Sequence, residues 1–139
     1  MSNTAGGPLP VTANMQEAIN AQLVRLSPGS ARLLRAGSIV GTEFSLGVVA
    51  AMVGLPVRSC LAPMDEAVSA GLVEPSSTAG NHRFAHPLVR DAVERGLGTP
   101  ERARLHRLAA EAVEELYRAQ LGPHLFDLGA SLGGSRDAR

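Results

Sequence analysis

The stretch GLVEPSSTAGNHRFAHPLVRDAV, residues 71–93, contains the change of pattern that decides the fold. Residues 72–74 and 82–86 are short runs typical of β-strands, and the Pro, Ser and Gly residues of 75–80 between them are typical of a loop. The stretch therefore predicts a small β-hairpin. Pro87 follows at once and predicts a helix start, because the fixed φ of proline suits the first helical position, where no amide donor is needed.

Upstream of the hairpin, apolar residues recur at helical spacing. An amphipathic helix is predicted from Ala13 onward. Its apolar positions are Met15, Ile19, Leu23 and Leu26. Ser27 as N-cap and Pro28 at the first position then open a second helix, which Gly41 closes.

Two further helices are predicted before the hairpin. Thr42 or Ser45 caps the third, and residues 54–56 end it. The fourth spans about residues 57–70 with Gly71 as its C-terminal residue, and Pro63 is expected to break or kink it because proline lacks the amide donor. Its predicted apolar face consists of Leu61, Met64 and Val68.

Two helices are predicted after the hairpin. The one that starts at Pro87 turns five residues inward. These are Leu88, Val89, Ala92, Val93 and Leu97. Thr99 as cap and Pro100 at the first position open a long helix that ends at Gly122 and Pro123. Its apolar face consists of Leu105, Leu108, Ala112, Val113 and Leu116.

This order of elements predicts a mainly α fold. A helical trio followed by one short β-hairpin is the plan of a winged helix-turn-helix, with the turn in VGLPV and the wing in PSSTAG. We predict four segments along the chain. They are a flexible N-terminal linker (1–10), a winged-helix domain (11–98), a long helix that begins a helical extension (99–122), and a short helical or disordered tail (123–139).

Composition limits the classes of partner and compartment. The 139 residues fit about one domain, and the 13 basic residues, all Arg, balance 13 acidic ones, so no overall field draws the chain to nucleic acid or anionic lipid. The single cysteine, Cys60, fits a reducing cytosol. The N-terminal residues have neither a basic region nor a long apolar run, so we expect a cytoplasmic protein without a membrane span.

Motifs for catalysis are missing from the sequence. The chain contains neither GxxxxGK[ST] nor any lysine, and so lacks the phosphate-binding loop of P-loop enzymes. Asp65 and Glu66 are adjacent, which places them on different sides of a helix and not as a facing acid/base pair. His82 and His86 have no Cys, Asp or Glu cluster at ligand spacing. We therefore expect neither an enzyme nor a metal site.

Four blocks of the sequence together resemble a known family. They are residues 19–56, 61–74, 82–97 and 101–116. In this order they resemble the segment that follows the ATPase core in large STAND-type regulators, among them bacterial LuxR-type regulators with an N-terminal AAA-like ATPase. The resemblance covers roughly residues 9–118 and implies a winged-helix domain that leads into a TPR-like sensor array. The ATPase and the distal DNA-binding domain of such regulators are missing here, which implies a truncated or stand-alone piece.

Within the resemblance, AHPLVRDAV is similar to the region of the STAND MHD motif. It implies that His86 contacts a bound nucleotide diphosphate, with Arg90 and Asp91 at the following RD. Pro87 replaces the aspartate of the motif, so that part of the contact is not carried over. The residues themselves allow two interpretations: His86 lies near helix N–H groups where a phosphate can bind, or it simply caps its own helix. Arg90 can equally form an i,i+4 ion pair with Glu94.

Arg102, Arg104 and Arg107 form a local basic patch, for which a solvated helix face balanced by acidic residues further along is the alternative. The helix in the recognition position offers only Arg58 as a base, against two carboxylates, and the wing carries no basic residue. Because a helix in the major groove should present Arg, Lys, Asn or Gln, the sequence does not favour DNA binding by this chain alone.

The hypothesis from the sequence is a non-catalytic interaction and signal-relay module of a STAND-type transcriptional regulator. Its partners are expected to be an ATPase core, a sensor domain, or a second copy through the C-terminal helices. An unpartnered apolar end there is predicted at Tyr117, Leu121, Leu125 and Phe126. ATP or ADP enters only with a separate ATPase core. The alternative is a free-standing winged-helix DNA-binding regulator, which requires a basic surface.

Overall fold

The computed structural model describes residues 12–128, with side-chain surroundings for residues 12–119. The described part is mainly helical, as predicted. Its elements are α1 (Ala13–Arg25), α2 (Pro28–Val40), β1 (Glu43–Ser45), α3 (Leu46–Val53), α4 (Val57–Ser69), β2 (Val73–Pro75), β3 (Asn81–Phe84), α5 (Pro87–Arg95) and α6 (Thr99–Leu128). The predicted linker and residues 129–139 of the predicted tail lie outside the described residues.

Side-chain caps fix where the first three helices begin. Thr12 Oγ1 accepts the amide of Met15 at 3.1 Å, and Ser27 Oγ, followed by Pro28 at the first helical position, accepts the amide of Ser30 at 3.2 Å. The cap of α3 is Ser45, not Thr42, since Ser45 Oγ accepts the amide of Val48 at 3.3 Å. Each oxygen satisfies a donor that the first turn of a helix leaves unpaired.

The sheet has one strand more than the sequence predicts. β2 and β3 form the predicted hairpin, and β1 pairs antiparallel with the other edge of β3, so the strand order is β1-β3-β2. Phe44 of β1 lies opposite His82 of β3. Three residues are too few for a recognisable alternation, and β1 runs directly into the cap of α3, so its signal is hidden.

Phe44 lies where the sheet meets α2. It is 1% exposed, and its ring centroid is 5.5 Å from that of Phe84. The α2 residue beneath the ring is Gly37, where an added Cβ would lie 2.9 Å from Cε2 of Phe44. The ring therefore packs directly on the backbone of α2, which a larger residue at position 37 prevents.

Helix α4 is continuous and is rotated from the predicted orientation. Pro63 lies inside the helix, so the predicted break at this residue is wrong. The buried residues are Cys60, Met64 and Ala67, whereas Leu61, predicted to face inward, is 52% exposed. One residue corresponds to about 100° around a helix. The predicted apolar face contains Leu61 and not Cys60, and it is therefore rotated toward solvent from the buried face.

Gly71 follows the end of α4, as predicted for the residue that terminates this helix. Gly71 has φ of 80°, a left-handed conformation that favours glycine. Its amide donates to the carbonyl of Val68 at 2.9 Å, and the amide of Leu72 donates to that of Ala67 at 3.2 Å. This is the Schellman pattern, which satisfies two carbonyls of the last turn.

Helix α6 is longer than predicted. It begins with Thr99 as its first residue and continues past Gly122 and Pro123 to Leu128, so the predicted end at 122 is wrong. Proline disfavours a helix interior but removes only one amide donor, so the stop signal is a bias. The chain divides into two compact units within α6, between Ala109 and Ala110. In the described residues, no single helix has the length and apolarity of a membrane span; α3 and α4 reach them only together, with a bend of 109°.

We predict that Gly37→Ala destabilises the protein by about 1–3 kcal/mol, because the methyl group forces Phe44 out of its position. The matched control is Gly29→Ala in the same helix, where the nearest atom to the added Cβ is Cγ of Pro63 at 3.8 Å, an ordinary contact. Gly29→Ala should be neutral or stabilise by up to about 1 kcal/mol through helix propensity. Urea unfolding followed by circular dichroism measures both, and equal effects would contradict the packing argument.

Candidate functional site

Helix α5 carries the residues that the sequence singled out, and it lies between the other helices. It follows β3 directly and packs against α1 and α2, with Ala92 and Val93 buried. Helices of nine residues are marginal on their own in water. The contacts at its two ends therefore determine its position.

At the N-terminal end, His86 caps α5. Its Nδ1 accepts the amide of Leu88 at 3.0 Å, which confirms the capping interpretation. The amide of Val89 donates to the carbonyl of His86 at 2.9 Å, and Pro87 has no amide proton. The first three positions of the helix thus have no amide left for an anion, and the expected phosphate-binding N–H groups are all engaged.

The cap also decides the tautomer of His86. Because Nδ1 accepts a hydrogen bond, the ring proton is on Nε2. His86 is an exposed residue, and Nε2–H is the ring donor that the cap does not use. The nucleotide contact implied by the resemblance stays a prediction, and Nε2 is the atom of His86 left to make it.

Arg90 joins α5 to the end of α2. Its Nε–H donates to the carbonyl of Ser38 at 2.7 Å, one of the carbonyls that the last turn of α2 leaves without an amide partner. Nη1 lies 3.6 Å from the Asp91 carboxylate and 3.7 Å from that of Glu94, so the predicted i,i+4 pair is present. The guanidinium is committed within the chain, and its nucleotide-sensing role stays a prediction.

The C-terminal end of α5 is covered by side chains from two other helices. Gln16 of α1 donates through Nε2 to the carbonyl of Ala92 at 2.8 Å. Arg102 of α6 donates through Nη2 to the carbonyls of Glu94 at 3.1 Å and Leu97 at 3.4 Å. The carbonyls of Ala92 and Glu94 also accept the amides of Gly96 and Leu97, so the two side chains add second hydrogen bonds at this end of α5. A cation is favoured there by the helix dipole.

The three arginines predicted as a basic patch have different surroundings. Arg102 is turned to the end of α5, as described. Arg104 forms two hydrogen bonds with the Glu101 carboxylate, at 3.1 and 2.8 Å, and these lower the pKa of Glu101 below its ordinary value. Arg107 is exposed one turn further along. The patch stays a prediction.

A shallow cleft lies beside these contacts. The described residues that line it are Asp91, Glu94, Arg95 and Arg102. Two carboxylates and two guanidiniums balance in charge, and these four residues include no hydroxyl, thiol or imidazole group.

His82 occupies the middle of the sheet. Its ring stacks on Phe44 with centroids 6.5 Å apart, and its Nδ1 is buried without a hydrogen-bond partner. Burial lowers the pKa of His82, and the Asp65 carboxylate partly opposes this. Among residues 12–128, no group of three or more His, Cys, Asp or Glu side chains is placed to hold a metal ion.

The sequence did not identify the surface of α4 as a candidate site. Leu55, Val57 and Leu61 are 39%, 45% and 52% exposed. Arg58, Ala62 and Asp65 are exposed beside them. These six residues are called the α4 outer face below. Assigning Cys60 to the core would have revealed this face, because the residues opposite Cys60 on the helix then point outward.

No protein-family model, curated protein or solved structure matches this chain.

We expect His86→Ala to destabilise the protein by about 0.5–2 kcal/mol, the range for removing an N-cap side chain. His86→Asn is the matched control, since asparagine is among the best N-caps and should keep the stability within about 0.5 kcal/mol. Denaturant unfolding of both variants tests this. An equal loss in both would show that the capping bond does not explain the histidine.

Arg90→Met should destabilise the protein by about 1.5–3 kcal/mol, because it keeps much of the apolar stem but removes a charged donor from the Ser38 carbonyl. The control is Arg118→Met, which removes a surface pair with Glu114 whose side chains are 68% and 69% exposed. That change should stay within about 1 kcal/mol. Thermal and urea unfolding separate the two, and a loss from Arg90→Met as small as the control would contradict the tie to α2.

Proposed function

We propose that the chain is a non-catalytic winged-helix interaction and signal-relay module of a STAND-type, LuxR-like transcriptional regulator, located in the cytoplasm. Its partners on this proposal are proteins: an ATPase core, a sensor domain or a second copy. The observation that carries the proposal is the α4 outer face, which is apolar and close to neutral at the position where a winged-helix protein reads DNA.

The order of elements supports the winged-helix part of the proposal. A strand between α2 and α3, then α4, then the β2–β3 hairpin is the arrangement expected of a winged helix-turn-helix. Helices α3 and α4 meet at 109° across a three-residue turn that contains Gly54, and helix-turn-helix pairs cross at about 90–120°. In this arrangement α4 is the recognition helix and residues 76–80 are the tip of the wing.

The chemistry of these two elements argues against DNA as their ligand. On the α4 outer face, Arg58 is the one cation and Asp65 the one anion, so the face has no excess charge for phosphates. Residues 76–80 of the wing carry no charge. Arg83, next to the wing, is bound to the Glu74 carboxylate at 2.7 Å. Exposed leucine and valine side chains on a recognition helix suit a protein surface better than base edges.

The ends of α5 suggest how a signal passes through the module. The helix starts at the exposed cap residue His86. Side-chain hydrogen bonds join it to three other helices: Arg90 bonds to α2, Gln16 of α1 bonds to α5, and Arg102 in the first turns of α6 bonds to α5. A partner that binds the Nε2 donor of His86 contacts the start of α5 without displacing the Nδ1 cap, and these three side chains connect α5 to the other helices. ATP or ADP takes part only if a separate ATPase core supplies its site.

The second candidate, a free-standing winged-helix DNA-binding regulator, shares the same order of elements. It requires a basic surface on α4 or the wing, and neither element has one in the described residues. The two candidates therefore differ in one measurable property, the affinity for duplex DNA.

The test is a fluorescence-anisotropy titration with random duplex DNA at low and at physiological salt. We expect no binding tighter than about 10⁻⁵ M at physiological salt. The double variant Leu61→Arg/Asp65→Arg is the matched positive control, because it makes the α4 outer face basic and should give DNA binding that weakens steeply with salt. Tight, salt-dependent binding by the unchanged chain would overturn the proposal in favour of the DNA-binding regulator.

A further inference from the structure

We propose that the α4 outer face is a homodimer interface, in which two copies of α4 pack antiparallel about a two-fold axis that passes between Leu61 and Ala62. The inference rests on the proposed function in one respect, that α4 faces protein and not DNA. It adds the identity of the partner, which is a second copy of this chain.

The centre of the face is suited to helix packing. Leu61 is the most exposed of its three large apolar side chains, and Ala62, next to it, is exposed and small. A large residue beside a small one lets two helices approach to about 8–10 Å with the leucine of each copy against the alanine of the other. Leu55 and Val57 extend the apolar surface toward the start of the helix.

The charges on the α4 outer face favour a second copy as the partner and an antiparallel direction for the two helices. Arg58 and Asp65 are seven residues apart, which is about two turns or 10 Å along the helix, so they lie on the same side. Each is the same distance from the midpoint of Leu61 and Ala62. An antiparallel two-fold pair therefore places Arg58 of each copy opposite Asp65 of the other, whereas a parallel pair places like charges together.

Both charges are available for such a pair. Among the described residues, neither Arg58 nor Asp65 forms an ion pair in its own chain, although Asp65 acts electrostatically on His82. A surface that is complementary to itself after a two-fold rotation is what an isologous dimer requires. Arg58 and Asp65 meet that condition with opposite charges at equal distances from the axis.

The two ends of the face follow the same symmetry. Leu55 lies ahead of α4, and Val68, in its last turn, is half-buried. These two residues are also equally distant in sequence from the axis, so Leu55 of one copy is placed near Val68 of the other. Each ion pair is then flanked by apolar contacts on both sides, which exclude water from it.

The exposed apolar residues of α6 are a weaker choice for this partner. Val113, Leu116 and Tyr117 are 53%, 40% and 63% exposed. However, the neighbouring Arg118 already pairs with Glu114 of its own chain at 3.1 Å. Within residues 110–119, whose side chains the structure describes, we find on α6 no counterpart to the unpaired Arg58 and Asp65 of the α4 outer face.

Charge exchange tests the pairing. One helix offers less than the roughly 800 Å² per partner of a standard interface, so we expect a dimer with a dissociation constant in the micromolar range or weaker, measured by sedimentation equilibrium of the full chain. Arg58→Asp and Asp65→Arg, each alone, bring like charges together and should weaken dimerisation at least about 10-fold. An equimolar mixture of the two variants, and the double variant Arg58→Asp/Asp65→Arg, should restore it. Arg32→Asp, at an exposed position of α2, is the control without effect.

A cross-link tests the axis without changing either charge. Leu61→Cys places a thiol next to its counterpart across the axis and should form a disulfide-linked dimer under mild oxidation, whereas Arg58→Cys, with counterparts about 10 Å apart, should not. Cys60 is fully buried and does not compete. Circular dichroism confirms that each variant is folded.

The outcomes separate this inference from the proposed function. A chain that stays monomeric at all concentrations, or a dimer that Tyr117→Glu removes and the charge variants leave unchanged, overturns the α4 interface. Either result leaves the relay-module proposal in place if DNA is not bound. Tight DNA binding overturns the proposed function itself.

Discussion

The contact between the ring of Phe44 and the backbone of Gly37 is the constraint on which the rest of this fold depends. Aromatic residues make up only 3% of the sequence, and two of its three phenylalanines, Phe44 and Phe84, meet at this point. Their rings bring α2, β1 and β3 to one place, and large buried aromatic side chains supply much of the area that a small core can bury. Without the open space above Gly37, β1 could not pair with β3 at this distance from α2, and the sheet would be reduced to a hairpin.

The second organising principle is that side chains complete helices other than their own. Arg90, Gln16 and Arg102 each donate to a carbonyl near the end of a neighbouring helix. Such bonds have direction, unlike apolar packing, and so they fix how far one helix can slide past another. Apolar surfaces alone, in contrast, allow many closely related packings.

The sequence predicted the elements whose signals are local. Ser27 with Pro28, and Gly71 after α4, each carry their mechanism in one or two residues, and the structure has them where expected. The β2–β3 hairpin followed in the same way from its turn residues. What failed depends on partners distant in sequence: β1 exists because β3 binds it, and the exposed side of Leu61 follows from the use of Cys60 as a core residue.

The candidate site shows the same difference between local signals and contacts with residues distant in sequence. The capping role of His86 could be predicted from one residue next to a helix start, and the structure has it. The amides of Leu88 and Val89 are engaged by His86 because of the geometry of the first turn of α5, which the sequence pattern does not specify. Arg90 could be paired with Glu94 by spacing, but its stronger bond, to Ser38, spans 52 residues and leaves no trace in any local pattern.

The strand order β1-β3-β2 has a consequence for the time course of folding during synthesis. The central strand is the last of the three to leave the ribosome, so β1 and β2 both emerge without a partner. Until residue 84 is free of the exit tunnel, the nascent chain can form helices but no sheet, and the edge of β1 is open to other chains. Asn81–Phe84 then supplies the partner edge for each of the two outer strands.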